Sequence, residues 1–444
     1  MNTISQLFSG ELKGTKKIKL SCNLTHFPEK ILDYFDSLEY LDLSGNQLSA
    51  LPDDFGKLIN LKILFLSDND FTSIPSVISQ CPNLDIVGFK SNKLSTIAED
   101  ALPTNIRWLI LTNNFLTSVP KSIGNFKRLQ KCMLAGNLLV DLPEEMCQCE
   151  NLELLRISAN KLKILPHWLF TLPKLSWLAF SGNSFNNTET HDTKLLEITW
   201  NDIEIQELLG EGASGIISKA FYKYDPLKTA IKNVAIKVFK GAVTSDGLPK
   251  DEMDACIGAG FHPNLIKVLG KVKDHPEHKQ GLVMELIGSN YKNLGGPPSL
   301  ESCTRDVYPE NTAFTINQVV SILKGISSVC SHLHSQKINH GDLYAHNILI
   351  DDNGYPLLSD FGAASSYNMV LPSLGMKMQL LEVRAFGCLV EDLLHHLELK
   401  EGYQNTLNIL NDLRRDSMKG EVLERPTFTD ICNRLKGIPI FNTI

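Results

Sequence analysis

Residues 340–362 read HGDLYAHNILIDDNGYPLLSDFG, and the reading of this stretch decides the fold of the C-terminal half of the chain. Two short apolar runs, Asn347 to Ile350 and Pro356 to Ser359, flank Asp-Asp-Asn-Gly at 351 to 354. Apolar runs around such a turn predict a β-hairpin. The hairpin places Asn347 just before one strand and Asp360 just after the other, so that both side chains converge on one metal site. Asp342 lies five residues before Asn347, on a loop that faces the same point.

Working outward, Ile203 to Leu209 and Ile216 to Ala220 are strand candidates around Gly210-Glu211-Gly212-Ala-Ser-Gly215. Glycines there let backbone amides approach phosphate oxygens without a Cβ in the way. The same letters open a dinucleotide-binding turn, but here a strand follows, not a helix. Val234-Ala235-Ile236-Lys237 comes next, then His262-Pro-Asn-Leu, GLVMELI at 281 to 287, EVRAFG at 382 to 387 and ERPTF at 424 to 428. In this order the motifs resemble those of protein kinases: the Gly-rich loop, the strand lysine, the H-R-D-L-x-x-x-x-N catalytic loop and D-F-G.

The resemblance implies a bilobal α+β domain that uses ATP and Mg2+. It makes Asp342 the acceptor of the substrate hydroxyl's proton and gives magnesium to Asn347 and Asp360. Lys237 would hold the α and β phosphates, paired with a helix carboxylate, either Glu252 or Asp254. Gly210, Glu211, Gly212 and Gly215 would cover the phosphates, with Ala235 and Ile217 above the adenine and Leu349 below it. Met284 takes the gatekeeper position, and Glu285 to Ile287 offer backbone bonds to adenine.

Departures from the pattern carry information too. Gly341 stands where many kinases have the Arg that pairs with an activation-segment phosphate. Tyr344 replaces the Lys usual in serine/threonine kinases, while His346 sits where tyrosine kinases often have Arg, so Ser/Thr and Tyr specificity both stay open. Only 21 residues separate Asp360 from Glu382, with no Ala-Pro-Glu among them, and Arg425 needs a partner other than that Glu. His-Gly-Asp-Leu followed by Asn also resembles aminoglycoside and choline phosphotransferases, and a pseudokinase scaffold is a third reading. The insert Gly288 to Asn311 has no recognised counterpart and lies where either enzyme class could hold its acceptor.

The N-terminal half repeats itself. LDLSGNQLSALP at 41 to 52 recurs as LFLSDNDFTSIP, VGFKSNKLSTIA, LILTNNFLTSVP, CMLAGNLLVDLP and LRISANKLKILP, with asparagines at 46, 69, 92, 114, 137 and 160. A shorter copy adds Asn23, and LAFSGNSF ends the ladder at Asn183. A short strand with a return segment cannot bury its apolar residues alone, so such units stack into a solenoid. The eight units resemble leucine-rich repeats, which implies an α/β horseshoe and makes each Asn structural. Strand positions Tyr40, Ile63, Phe65, Trp108, Ile110 and Trp177, together with Ile86, Met133, Leu154 and Ala179, are expected on the concave face. An apolar stripe of that length is expected to bind a protein partner or substrate, or to dock within the chain.

A net charge of -7 supplies no basic field for nucleic acid, and 43% apolar residues suffice for proper cores. The first twenty residues lack a signal peptide's apolar run, and no window is long enough to span a membrane, so a cytoplasmic protein is expected. Ten scattered cysteines read as reduced thiols; Cys147 and Cys149 lack companion ligands. The expected organisation is a repeat domain over 1–189, a linker over 190–199 and a kinase-like domain over 200–444, and the combination looks like bacterial leucine-rich-repeat protein kinases.

Overall fold

A computed structural model describes residues 1–185, 195–212, 214–223, 231–241, 243–244, 246–367, 372–398 and 402–439. Residues 186–194, and with them the expected boundary near 190, lie outside them. Two compact units form. The first is Met1–Leu175 with Asn183–Phe185, and the second is Ser176–Gly182 with Asn186–Ile444.

The first unit opens with a short helix, α1 (Ile4–Ser9), whose capping box joins Thr3 and Gln6. Seven three-residue strands follow: β1 (Lys17–Lys19), β2 (Tyr40–Asp42), β3 (Ile63–Phe65), β4 (Ile86–Gly88), β5 (Trp108–Ile110), β6 (Lys131–Met133) and β7 (Leu154–Arg156). Each pairs in parallel with the next, in register, Leu41 beside Leu64 and Leu64 beside Val87. Four return segments are single 3-10 turns entered from Pro52, Pro75, Pro120 and Pro143. Proline suits that position, because its fixed φ starts the turn and its missing N–H would have had no partner there.

The asparagine ladder is the polar spine of this core. Asn114 donates to Phe89 O at 2.9 Å and Leu111 O at 3.0 Å, and its Oδ1 accepts from Leu94 N at 3.0 Å. Asn46, Asn69, Asn92, Asn137, Asn160 and Asn183 repeat the pattern. The residue before each rung adopts positive φ, from Gly45 and Asp68 through Ser91, Asn113, Gly136 and Ala159 to Gly182. Asn23, expected on the ladder, is exposed instead. Asn23 itself takes the left-handed φ, 56°, that in the later repeats belongs to the residue before the rung.

Of the expected concave residues, Tyr40, Ile63, Phe65, Trp108 and Ile110 are half-buried, whereas Ile86, Met133 and Leu154 are buried. Lys17 lies over the Tyr40 ring and Lys131 over Trp108.

In the second unit, β8 (Trp177–Ala179) is followed by β9 (Leu196–Thr199), β10 (Ile203–Glu211), β11 (Gly215–Lys223), β12 (Ile231–Phe239), β13 (Val268–Lys273) and β14 (Gly281–Glu285). Strands β9 to β14 form a sheet in the order β10-β11-β12-β14-β13-β9. Ile198, Ile203, Ala220, Val234, Ile236 and Val283 fill one cluster on it. Met253 and Ile257 of helix α2 (Pro249–Ala259) pack with Phe239 and Leu282 in another.

The helical part is built on α3 (Ile316–Ser335), which starts at a Thr315–Gln318 capping box and packs on α4 (Pro372–His395) and α6 (Phe428–Lys436). Helix α5 (Gln404–Ser417) packs on α4. Three short strands lie between these parts: β15 (Lys292–Asn293), β17 (Ile348–Ile350) and β18 (Pro356–Leu358), in the order β15-β17-β18. A further pair joins β16 (Ile338–Asn339) to β19 (Ser365–Ser366). The chain is thus a leucine-rich-repeat solenoid plus a two-part unit of mixed sheet and helices. No helix among the described residues is long and apolar enough to cross a membrane, and all ten cysteines are free thiols.

Candidate active site

The predicted hairpin forms. β17 pairs antiparallel with β18, Ile348 facing Leu358 and Ile350 facing Pro356. Its turn is fixed by Asp351, whose Oδ1 accepts from Asn353 N at 2.9 Å and Tyr355 N at 2.8 Å. The hairpin sets Asn347 beside Asp342, and Asn347 Nδ2 donates to Asp342 O at 3.0 Å and Oδ2 at 2.8 Å. Beyond β18, Asp360 takes a left-handed φ of 54°, rare for a side chain with a Cβ, and accepts from Gly362 N at 3.0 Å.

A cleft of about 330 Å³ brings Lys237, Glu252, Asn347 and Asp360 together with Gly212, Gly215, Ile217 and Met284. Glu252, and not Asp254, forms the ion pair with Lys237. Burial pulls the Lys237 ammonium down, but the Glu252 and Asp360 carboxylates outweigh it and hold it above its ordinary value. Gly215 keeps the loop close to its neighbour strand: a Cβ there would stand 2.7 Å from Val238 O. Gly210, Glu211, Ala235, Glu285, Ile287 and Leu349 do not line this cleft; Leu358 lines it instead of Leu349.

The donor set suits Mg2+. One carboxylate and one amide oxygen are few ligands, but Mg2+ keeps several waters and takes the rest from substrate phosphates. Asn347 Nδ2 is engaged with Asp342, which turns its Oδ1 into the donor atom for a cation. Asp360 and Asn347 are the residues that would hold it, and bound there it would neutralise phosphate charge. Lys237 and the amides of the Gly-rich loop would orient the nucleotide, and Asp342 would receive the hydroxyl proton.

Around this set the departures find their physical reasons. Gly341 has φ 72°, and a Cβ there would stand 2.7 Å from both Ala363 O and Leu178 O. An arginine has no room on that backbone. Gly341 N donates to Glu382 Oε1 at 2.7 Å. Glu382 Oε2 meets His334 Nε2 at 2.8 Å, and His334 Nδ1 meets Tyr367 Oη at 2.9 Å. Burial alone would raise the Glu382 carboxyl, yet His334 and the Gly341 amide hold it below its ordinary value. Arg425, deprived of the usual glutamate, donates to Lys419 O at 2.9 Å and Leu380 O at 3.0 Å. Burial and neighbouring Arg384 push it down to about 9, so it stays charged. Ser365 and Tyr367, hydroxyl-bearing residues that follow Asp-Phe-Gly, are 0% and 4% exposed.

Two contributors escaped the sequence reading. The insert carries Asp306, bonded to Ala345 N and His346 in the catalytic loop. Beside it Arg305 forms ion pairs with Glu391 and Asp392 of α4. Trp177, expected to face a partner, is 1% exposed and stacks on Tyr344 at 4.4 Å between ring centroids, 7° from parallel. Neither had a local signal, since both contacts join residues far apart in sequence.

Comparison with known proteins agrees with this geometry. Residues 203–374 match the protein kinase domain family, 127–185 match a leucine-rich-repeat family and 36–75 a two-copy leucine-rich-repeat family. The chain therefore combines leucine-rich repeats with a protein kinase domain. It is 29% identical over 160 residues to cyclin-dependent kinase 2 of Caenorhabditis elegans, covering 36% of this chain and 40% of that protein. It is 29% identical over 159 residues to mitogen-activated protein kinase kinase kinase 1b of Physcomitrium patens, 36% of this chain and 19% of that one. A probable serine/threonine-protein kinase of Dictyostelium discoideum is 28% identical over 196 residues, 43% of this chain and 11% of its own length. The chain thus spans less than half the length of each of these three relatives.

Proposed function

We propose that this protein is an ATP- and Mg2+-dependent protein kinase that transfers the γ-phosphate to a protein hydroxyl, serine or threonine in first place, and that its repeats bring the protein substrate or partner to it. The observation that carries the reading is the convergence of Lys237, Glu252, Asn347 and Asp360 on one cleft, with Asp342 bonded to Asn347. A scaffold that only binds has no need of that set. Relatives described as serine/threonine-protein kinase and as mitogen-activated protein kinase kinase kinase support the hydroxyl class.

Incubation with labelled ATP and Mg2+, beside protein and small-molecule acceptors, tests it. Asp342→Asn should lower transfer by about a thousandfold or more while nucleotide binding persists, because the proton acceptor is lost and the fold is kept. A wild type no more active than this variant on any acceptor would return the chain to a binding scaffold. Label on small molecules alone would favour the aminoglycoside and choline phosphotransferase class.

The recruiting surface is Tyr40, Ile63, Phe65, Trp108 and Ile110, half-buried aromatic and aliphatic side chains on β2, β3 and β5 of one parallel sheet. Desolvated aromatics at such surfaces commonly carry ~2 kcal/mol or more each. Once a substrate protein is known, Phe65→Glu with Trp108→Glu should raise its KM and leave ATP turnover without it unchanged. An unchanged KM would end the recruiting role.

A further inference from the structure

The seven residues Ser176–Gly182 belong to the second unit although the repeat pattern claims them. Several of their polar contacts fall on or beside the two loops that carry the chemistry. Trp177 Nε1 donates to Leu343 O at 3.1 Å, and its ring lies on Tyr344; these are the two residues after Asp342. Leu178 O accepts from Asn339 Nδ2 at 2.9 Å, just before the catalytic loop. Phe180 N and Ser181 N donate to Ser365 Oγ at 2.9 and 3.1 Å, in the activation segment. Gly341 completes the fit, because its missing side chain admits Leu178 O and Ala363 O, one from each element.

We propose that Ser176–Gly182 is a positioning element of phosphoryl transfer, a latch that holds the catalytic loop and the activation segment in register, with Trp177 as its principal positioning residue. The proposal rests on the phosphotransferase reading above and extends it. A kinase that orders its activation segment through a phosphate needs a cation beside the catalytic Asp. Here that backbone position is a glycine, and the segment's amides and carbonyl supply the ordering bonds. Trp177 acts through Leu343 and Tyr344, and fixes the peptide that follows Asp342. Reactive geometry is sensitive to displacements of about 1 Å, which cost up to about a hundredfold in rate.

The test uses the full chain. Trp177→Ala should lower kcat at least about tenfold and leave the KM for ATP within about twofold, since Lys237 and the Gly-rich loop are untouched. Trp177→Phe keeps a ring on Tyr344 and should recover most of the rate. Trp168→Ala, which empties a buried tryptophan site in the repeat unit, should leave kcat close to wild type at a temperature where all three variants are folded. Wild-type kcat in Trp177→Ala would overturn the proposal, and so would an equal loss in Trp168→Ala. A failure of Trp177→Phe to exceed Trp177→Ala would also overturn it. An inactive wild type would remove the phosphotransferase reading itself, a distinct outcome visible in the first measurement.

Discussion

The Asp306 carboxylate accepts from His346 Nδ1 at 2.7 Å and from Ala345 N at 2.5 Å, so the insert is bonded into the catalytic loop between Asp342 and Asn347. Its side chain is 3% exposed. Burial draws the His346 imidazole down, but Asp306, with Asp342 and Asp360, leaves it above its ordinary value. Asp306→Ala strands a buried amide, worth about 1–3 kcal/mol when left unpaired, and frees a half-buried ring nitrogen. Turnover should fall about ten- to a hundredfold while ATP affinity holds, and Asp306→Asn, which keeps one acceptor, should fall between. Steady-state kcat and KM decide it; unchanged kcat in Asp306→Ala would show that the insert does not shape the loop.

The phosphorylation state of the activation segment should matter little. Tyr367 Oη is bonded to His334, Ser365 Oγ accepts two amides, and both residues are buried. At Gly341 there is no side-chain cation for a phosphate to pair with. Phosphatase treatment of purified protein should leave kcat within about twofold of the untreated enzyme, whereas a phosphate-ordered loop would lose orders of magnitude. Mass spectrometry before and after treatment confirms which sites changed. A collapse in rate on loss of phosphate from Ser365, Ser366 or Tyr367 would contradict this account.

What the sequence made legible was local. The Asp-Asp-Asn-Gly turn between apolar runs predicts the β17–β18 hairpin, and the 23-residue spacing of asparagines predicts the stacked strands, because both are short-range patterns. Spacing makes Glu252 the nearest candidate with Asp254 as the fallback; the orientation of α2 on the sheet brings Glu252 to Lys237. Trp177 stands in LSWLAFSGN, letters like those of any other repeat, and only tertiary packing tells that its ring meets Tyr344. Asp306 was illegible for the same reason: an Asp in a Gly/Pro/Ser-rich insert reads as solvated until its partners are known. Asn23 fits the letter pattern but is exposed and takes the left-handed φ that elsewhere precedes the rung.

Rungs of the ladder should differ by their neighbours. Asn114→Ala removes bonds to Phe89 O, Leu111 O and Leu94 N, and strands buried backbone groups, so it should cost about 1–3 kcal/mol. Asn23→Gly, at an exposed site where glycine keeps the left-handed φ of 56°, should stay within about 0.5 kcal/mol of wild type. Urea titrations followed by circular dichroism measure both. Equal midpoints for the two variants would mean that the ladder contributes no net stability.

Asp251, in the first turn of α2, gives a pH dependence with a defined sign. Burial pushes its carboxyl up to about 6 from an ordinary 3.8, with Asp254 adding to the rise and Ser181 and Lys250 opposing it. A carboxyl whose folded pKa is raised binds its proton more tightly in the native state than in the unfolded chain. Its unfavourable contribution is therefore absent below the unfolded value, grows as pH climbs from about 4 to about 6, and stays in full above that. Two units correspond to an upper bound of about 3 kcal/mol, and partial solvation brings the expected effect to about 1–2 kcal/mol. Asp251→Asn removes the buried charge and should stabilise the protein by that amount at pH 7.5, while the two proteins converge near pH 4. Urea midpoints of wild type and variant across pH 4 to 8 provide the check. A difference that does not change with pH, or one that grows toward acid, would show that the carboxylate is not desolvated in the native state.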